Sequence, residues 1–323
     1  MDIISKLKAI VLGGGEISAE QALALYDQDT EKLGAAANEI RKHFCGDSFD
    51  FCTIINAKSG KCSENCKYCA QSAHHNTNCE VYSLRSSEDV VAGAIKNEGQ
   101  GIKRYSLVTS GRKISDSEVD KVCEIVKDIK KVSSVHVCGS FGLLDTPQYE
   151  KLAAAGLTRI HNNLETSRDY FPKMCTTHSF DDKLNSISMA TKAGLNVCSG
   201  GIFGIGESVK DRISLAFSLK EIGVTSVPIN LLNPIKGTPC ENNTPLSSEE
   251  LCKIVAVFRF ILPCAFIRVS GGRSLLEDKG RQAFLSGANA AITGDLLTTY
   301  GITASSDFKL IEELGFKARL MGE

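Results

Sequence analysis

Residues 104–140 read RYSLVTSGRKISDSEVDKVCEIVKDIKKVSSVHVCGS, and this stretch decides the fold. It opens on a β-rich run at 104–109 and continues as an amphipathic stretch of helical period over 115–132. A second β-rich run follows at 135–139. Strand, helix, strand in this order is the repeating unit of a parallel sheet. Reading outward, the same alternation covers most of the chain. Strands are predicted at 51–57, 104–109, 135–139, 158–163, 196–203, 226–231, 265–270 and 288–293. Helices are predicted at 87–99, 115–132, 146–155, 180–193, 208–222, 247–262 and 273–285, with a last one near 307–314. Several end in a glycine stop, as at Ala155-Gly156-Leu157 and Ala193-Gly194-Leu195, where glycine suits the left-handed position after a helix.

Eight β-α units in series predict an α/β protein of the (β/α)8 TIM-barrel type, since eight strands close a barrel. The competing arrangement is an open, doubly wound sheet. Residues 1–50 are helical in pattern, with Ser18 and Gln21 placed as a capping box. They read as an N-terminal extension to a barrel running over 51–323.

The chain has 323 residues, with 37 basic and 38 acidic side chains and a net charge of -1. This balance gives no electrostatic case for nucleic acid or an anionic membrane. No run approaches the roughly 20 apolar residues of a spanning helix. The opening MDIISKLKAIVLGGGEIS lacks the pattern of a secretory signal, so a cytoplasmic protein is expected. Thirteen cysteines in a reducing compartment point to metal ligands, reactive groups or buried fillers rather than disulfides.

Three of them, Cys62, Cys66 and Cys69, follow the first strand in KCSENCKYCA, spaced C-x3-C-x2-C. Three thiolates in one loop suit three corners of a 4Fe–4S cluster whose fourth iron keeps no protein ligand. That iron is free to bind S-adenosylmethionine (SAM), whose reductive cleavage makes an adenosyl radical. The loop sits where barrel enzymes build their active sites, with Tyr68 placed to pack on the adenine. The alternative is a structural zinc knot, for which His74 or His75 would supply a fourth ligand.

Strand alternation gives a second constellation. It turns Cys138 inward on the third strand, and Asn196, Cys198 and Gly200 on the fifth. On the seventh it turns Cys264, Phe266 and Arg268 inward. Cys52, Ile54 and Asn56 share one face of the first strand. His161 and Asn163 point inward on the fourth, with Glu165 at the mouth, and Asn230 on the sixth. Barrel interiors are usually apolar, so this set calls for bound partners. Cys45, Cys79, Cys123, Cys175, Cys240 and Cys252 have no inward placement and are expected to be packing or surface residues. Gly200, Gly201, Gly204 and Gly206 with Glu207, in SGGIFGIGE, form a glycine-rich barrel-top turn suited to close approach of a nucleoside.

The triplet with an aromatic before its last cysteine resembles the radical SAM superfamily. The segments CSENCKYCAQS, HNNLETS, KAGLNVCSGGIFGIGES, SVPINLLNPIKGTP and IRVSGGR together resemble the biotin synthase family, in order from about Phe51 to Asp295. The resemblance implies conversion of dethiobiotin to biotin. A radical made at the Cys62, Cys66 and Cys69 cluster takes hydrogen from C9 and then C6, and an auxiliary 2Fe–2S cluster supplies the sulfur. It assigns cosubstrate contacts to Gly200, Gly201, Asn163 and Glu165, with Glu165 on the ribose hydroxyls where the family usually has Asp. His178 falls near the methionine carboxylate. Asn163 and Asn230 match positions that contact dethiobiotin.

The family holds its auxiliary cluster with three cysteines and an arginine. Cys138, Cys198 and Arg268 match three of these positions, but the fourth is Ser106. Serine is a poor substitute for a thiolate on iron, so Cys52, Cys264 or both are expected to replace it, with a larger cluster as one outcome. The resemblance further implies a homodimer, an electron donor such as flavodoxin or ferredoxin, and iron–sulfur assembly proteins. Two other readings are a radical SAM maturase of the hydrogenase-maturation type and a non-catalytic iron–sulfur or zinc carrier.

Overall fold

A computed structural model describes residues 2–320. The helix inside the opening stretch, α5 (Asp116–Val132), begins where a Ser115–Glu118 capping box satisfies its first N–H groups. Its buried residues Val119, Val122, Val126 and Ile129 recur at helical spacing and pack it onto the sheet. The flanking strands β2 (Arg104–Thr109) and β3 (His136–Ser140) pair in parallel, with Ser106 opposite Cys138.

The same unit repeats around the molecule. The remaining barrel strands are β1 (Ser48–Lys58), β4 (Arg159–His161), β5 (Asn196–Cys198), β6 (Gly201–Phe203), β7 (Ser226–Leu231), β8 (Phe266–Val269) and β9 (Ala290–Ile292). All pairings are parallel, and β1 pairs with both β2 and β9. That last pairing closes the barrel and excludes the open sheet. A short strand, β10 (Lys317–Ala318), adds to the start of β1.

Two predicted elements are broken. The fifth strand divides into β5 and β6 at Ser199-Gly200, because the backbone there closes against its neighbours. A Cβ on Gly200 would stand 2.0 Å from the Pro228 carbonyl oxygen, and one on Gly201 2.6 Å from that of Glu165. The helix predicted at 273–285 is a 3-10 turn at Arg273–Leu275 followed by α11 (Arg281–Leu285). Gly280, at φ +86°, starts the second piece, and Arg273 is drawn inward to a buried ion pair with Asp307 at 2.6 Å.

The leading helices α1 (Ile3–Leu12), α2 (Ala19–Tyr26) and α3 (Thr30–Cys45) share one hydrophobic core with α10 (Ser248–Ile261) of the barrel. Polar contacts fix them too. Tyr26 on α2 donates to Glu250 at 2.8 Å, and Arg212 on α9 (Val209–Glu221) donates to Tyr26 at 2.6 Å. Arg212 also binds Glu207 at 2.6 Å, and the Glu207 carboxylate accepts from the Gly204 and Ile205 amides. One buried pair thus ties the extension to the glycine-rich turn at the barrel mouth. Replacing Arg212 with Met strands a buried carboxylate, and we expect a loss of about 3–5 kcal/mol in denaturant unfolding. An unchanged midpoint would contradict this. Among the described residues no helix is long and apolar enough to cross a membrane.

Candidate active site

The loop after β1 carries the cysteine triplet. A register shift between Asn56 and Lys58 bends the strand as it leaves the barrel. Cys62 is held at both ends, its N–H donating to Gln71 O at 2.9 Å and its carbonyl accepting from Ala73 N at 2.8 Å. Cys69 N donates to Cys66 O at 3.0 Å, and Ser72 Oγ to Glu64 O at 2.6 Å. The loop is therefore shaped by its own backbone. Its three thiols are half-buried and free of disulfides. Burial, with Cys62 and Glu165 nearby, pushes the Cys69 thiol up to about 11. Three thiols from one short loop suit a group that takes them as thiolates and repays their burial with positive charge.

The alternative, a zinc knot completed by an adjacent histidine, is not assembled, since among the described residues neither His74 nor His75 belongs to a group of close metal-ligating atoms. His74 Nε2 and His75 Nε2 each lie 3.0 Å from a loop carbonyl, of Ser63 and Cys66 respectively. Cys175, expected to be bland, stands instead with its sulfur 3.6 Å from that of Cys66. His178 Nδ1 is 3.2 Å from Cys175 Sγ and 2.5 Å from Glu64 Oε2. Burial opposes the charged imidazole, but Cys175 and Glu64 outweigh it and raise its pKa. No local pattern links Cys175 to the triplet, because the contact joins loops more than a hundred residues apart.

Over the mouth lies a cavity of about 360 Å³, lined by Tyr68, Cys69, Asn163, Glu165, Ile202 and Asn230 among others. Glu165 adopts φ +70°, unusual for a residue with a side chain. Burial raises its pKa, and its Oε2 has no hydrogen-bond partner. A buried carboxylate oxygen without a donor fits a ligand hydroxyl. Asn163 Oδ1 accepts from Gly200 N at 3.2 Å. Asn230 donates to Gly201 O and accepts from Gly271 N, both at 3.0 Å. Each amide keeps donors or acceptors for a ligand, because an amide offers two of each.

Below the mouth, the barrel interior holds Cys52, Cys138 and Cys198, all fully buried. Cys138 lies opposite Ser106 and Arg159 in the sheet, and Cys198 opposite His161. Burial and the neighbouring Cys138 push the Cys52 thiol up, against the pull of Arg268 and Arg104. Arg268 NH2 donates to Asp50 Oδ2 at 2.8 Å, and its NH1 to Asp50 O and Ala291 O. Arg104 reaches the same carboxylate at 3.3 Å and the Cys138 sulfur at 4.0 Å. Burial disfavours the Arg268 charge, but Asp50, Cys52 and Cys198 outweigh that and raise its pKa.

Ser106 Oγ, His161 Nε2 and Arg268 Nε are buried there without partners. Unsatisfied groups of this kind cost about 1–3 kcal/mol each. Thiols, cations and orphaned polar atoms around one space fit an anionic iron–sulfur group.

Two expectations fail. Cys264 is exposed. It lies in the turn after α10, where Ala265 N bonds back to Leu262 O at 3.2 Å, and β8 starts only at Phe266, so strand alternation does not reach it. Cys264 is therefore no replacement ligand. Asn196 is also exposed, as the first residue of β5, where the strand has only just entered the barrel. Conversely, Arg104, Arg159 and Asp50 are buried in the barrel and were not singled out. Their signal was present, since each lies two residues before an inward position.

Comparison with known proteins decides the family. Residues 57–219 match the Radical SAM superfamily, and 228–317 match the Biotin and Thiamin Synthesis associated domain. A biotin synthase of Akkermansia muciniphila is 51% identical over 99% of this chain and all of that protein. The chain belongs to the biotin synthase family. Biotin synthases of Clostridium botulinum (strain Hall) and Brachyspira hyodysenteriae are 51% and 50% identical over 98% of the chain, covering 100% and 95% of those proteins. As a member of that family it is a radical SAM enzyme, using a 4Fe–4S cluster and SAM with an auxiliary iron–sulfur cluster. Among solved structures, methylornithine synthase superposes with a TM-score of 0.85 at 21% identity, covering 97% of both chains. The FeFe-hydrogenase maturase of Carboxydothermus hydrogenoformans gives 0.81 at 19%, over 97% of this chain and 78% of that one. At these identities they show the shared barrel alone.

Proposed function

We propose that this chain converts dethiobiotin to biotin with two thiol sites stacked along one barrel. The observation that carries this reading is the fully buried set Cys52, Cys138 and Cys198 around Arg268, on barrel strands and separate from the three half-buried cysteines of the loop after β1. Cys62, Cys66 and Cys69 hold the 4Fe–4S cluster. Cys138, Cys198 and Arg268 hold the auxiliary cluster, with Cys52 in the role that Ser106 cannot fill. When bound, these groups supply the radical-generating electron and the sulfur.

The remaining work falls to side chains of the cavity and to residues of the segments beside it. Tyr68 packs against the adenine, the free Glu165 oxygen accepts from ribose hydroxyls, and His178 takes the methionine carboxylate. Gly200 and Gly201 let the cosubstrate approach the backbone. Asn163 and Asn230 present neutral donors and acceptors to the neutral ureido ring. The barrel wall keeps water from the reacting carbons.

The same reading assigns residues 1–50 to a helical extension and 51–323 to the barrel. Met1 and 321–323 of those segments lie outside the described residues. It places the enzyme in the cytoplasm as a homodimer, away from membranes and nucleic acid. Its partners are a one-electron donor such as flavodoxin or ferredoxin, and iron–sulfur assembly proteins that rebuild the sulfur source.

Anaerobically reconstituted protein, given dethiobiotin, SAM and reductant, is expected to yield biotin by mass. Full iron loading without biotin would overturn the reading.

A further inference from the structure

We propose that Cys66, Cys175, His178 and Glu64 form a zinc site of their own at the barrel mouth. The site shares Cys66 with the three-cysteine loop and so excludes a cluster held by all three of those thiols. The ligand atoms of Cys66, Cys175 and His178 all lie within 4.8 Å of one another. The sulfurs are 3.6 Å apart, and Cys175 Sγ is 3.2 Å from His178 Nδ1. A tetrahedral zinc with Zn–S near 2.3 Å and Zn–N near 2.0 Å sets its ligands about 3.5–3.8 Å apart. The observed spacings need only slight opening. Glu64 Oε2 lies 2.5 Å from the same imidazole nitrogen and outside that mutually close set, so it becomes the fourth donor only after a side-chain turn that lengthens this contact.

The surroundings suit a closed site. Cys175 is 3% exposed, and the side chains of His178 and Glu64 are 5% and 8% exposed. Asn65 clamps the two loops together, accepting from Thr176 N at 2.9 Å and donating to Thr176 Oγ1 at 2.6 Å. Phe171 meets the His178 ring edge-on with centroids 5.5 Å apart, and Thr177 Oγ1 orients Glu64 at 2.8 Å. Two thiolates and a carboxylate on Zn2+ leave one negative charge. Lys183, whose field reaches Cys66 and His178, balances it. A solvent groove of about 350 Å³, lined by Asn65, Lys67, Met174 and Cys175, gives the ion a way in. On binding, Zn2+ displaces the two thiol protons to solvent, with no change of oxidation state.

The site competes with the radical cluster only because Cys66 is also assigned to that cluster, and this part rests on the reading above. Zinc binding itself does not. The test titrates Zn2+ into the full-length, cluster-free chain against a chromophoric chelator. We expect one zinc per chain, retained in Cys62→Ala/Cys69→Ala protein. Adding Cys175→Ala to that background should weaken binding by more than about 100-fold, beyond what an outer-shell partner costs. Loss of zinc in the double variant would overturn the proposal, because the metal would then belong to the triplet. So would unchanged affinity after Cys175→Ala.

A readout on the unmutated chain guards against misfolded variants. Co2+ in place of zinc should show thiolate charge-transfer absorption for two sulfurs, and an intensity for three or four would contradict the site. Chain loaded with the radical cluster should bind no zinc here. Equal binding in loaded and cluster-free chains would overturn the shared ligand.

Discussion

Cys69→Ala protein should form 5′-deoxyadenosine from SAM more than about 1,000-fold more slowly than the parent, because no side chain can replace the group it helps to hold. Cys69 lies at the closing turn of a loop whose backbone bonds fix all three thiols, and it lines the cavity with Tyr68 and Glu165. Its half-buried thiol is pushed up to about 11, chiefly by desolvation, so without a metal it stays protonated at neutral pH. The fold should survive the change, as the Cys69 hydrogen bonds in the loop are made by its backbone. Far-ultraviolet circular dichroism should therefore be unchanged while product formation, followed by chromatography, disappears. Persistent 5′-deoxyadenosine at near-parent rate would remove Cys69 from the radical site.

Cys198→Ala should separate the two halves of the chemistry. Cys198 is fully buried, its sulfur 3.2 Å from Ser226 Oγ and its strand position opposite His161. It sits on a barrel strand, paired with β4 and β7 and not with the loop after β1. SAM cleavage should persist within about threefold, whereas biotin formation should fall by more than about 100-fold, beyond what the loss of an outer-shell partner of a metal costs. Iron and sulfide per chain should drop to the complement of the mouth site alone. Cys52→Ser should do the same if Cys52 replaces Ser106, whereas Cys264→Ser, on an exposed turn, should change neither quantity. Biotin formation at parent rate in both Cys198→Ala and Cys52→Ser would remove the interior thiols from sulfur supply.

Much of this was legible because it is local. The helices at 87–99 and 146–155 coincide with α4 (Ser87–Gly99) and α6 (Thr146–Ala155), whose ends are written in caps and, at Gly156, a left-handed stop. Strand alternation found Cys52, Cys138, Cys198 and Arg268, since side-chain direction follows from position alone. It misled at Cys264 because the strand begins two residues later than the pattern was extended. The break in the predicted 273–285 helix depends on Arg273 reaching Asp307, a partner more than thirty residues away. Cys175 was missed for the same kind of reason. Asp50, Arg104 and Arg159 were overlooked although alternation includes them, because charged residues inside a barrel run against the usual pattern. Here they have a use, as Asp50 holds Arg268 and Arg104 beside the thiols.

Thiols inside the barrel, separate from those at its mouth, hold the source of the inserted sulfur. Reconstituting the chain with 34S-labelled sulfide, removing free sulfide and determining the mass of the biotin formed in the first turnover tests this. The sulfur of that biotin should be 34S, and Cys138→Ala/Cys198→Ala protein should make 5′-deoxyadenosine but no labelled biotin. Unlabelled biotin from the parent chain, or labelled biotin in equal yield from the double variant, would contradict the account.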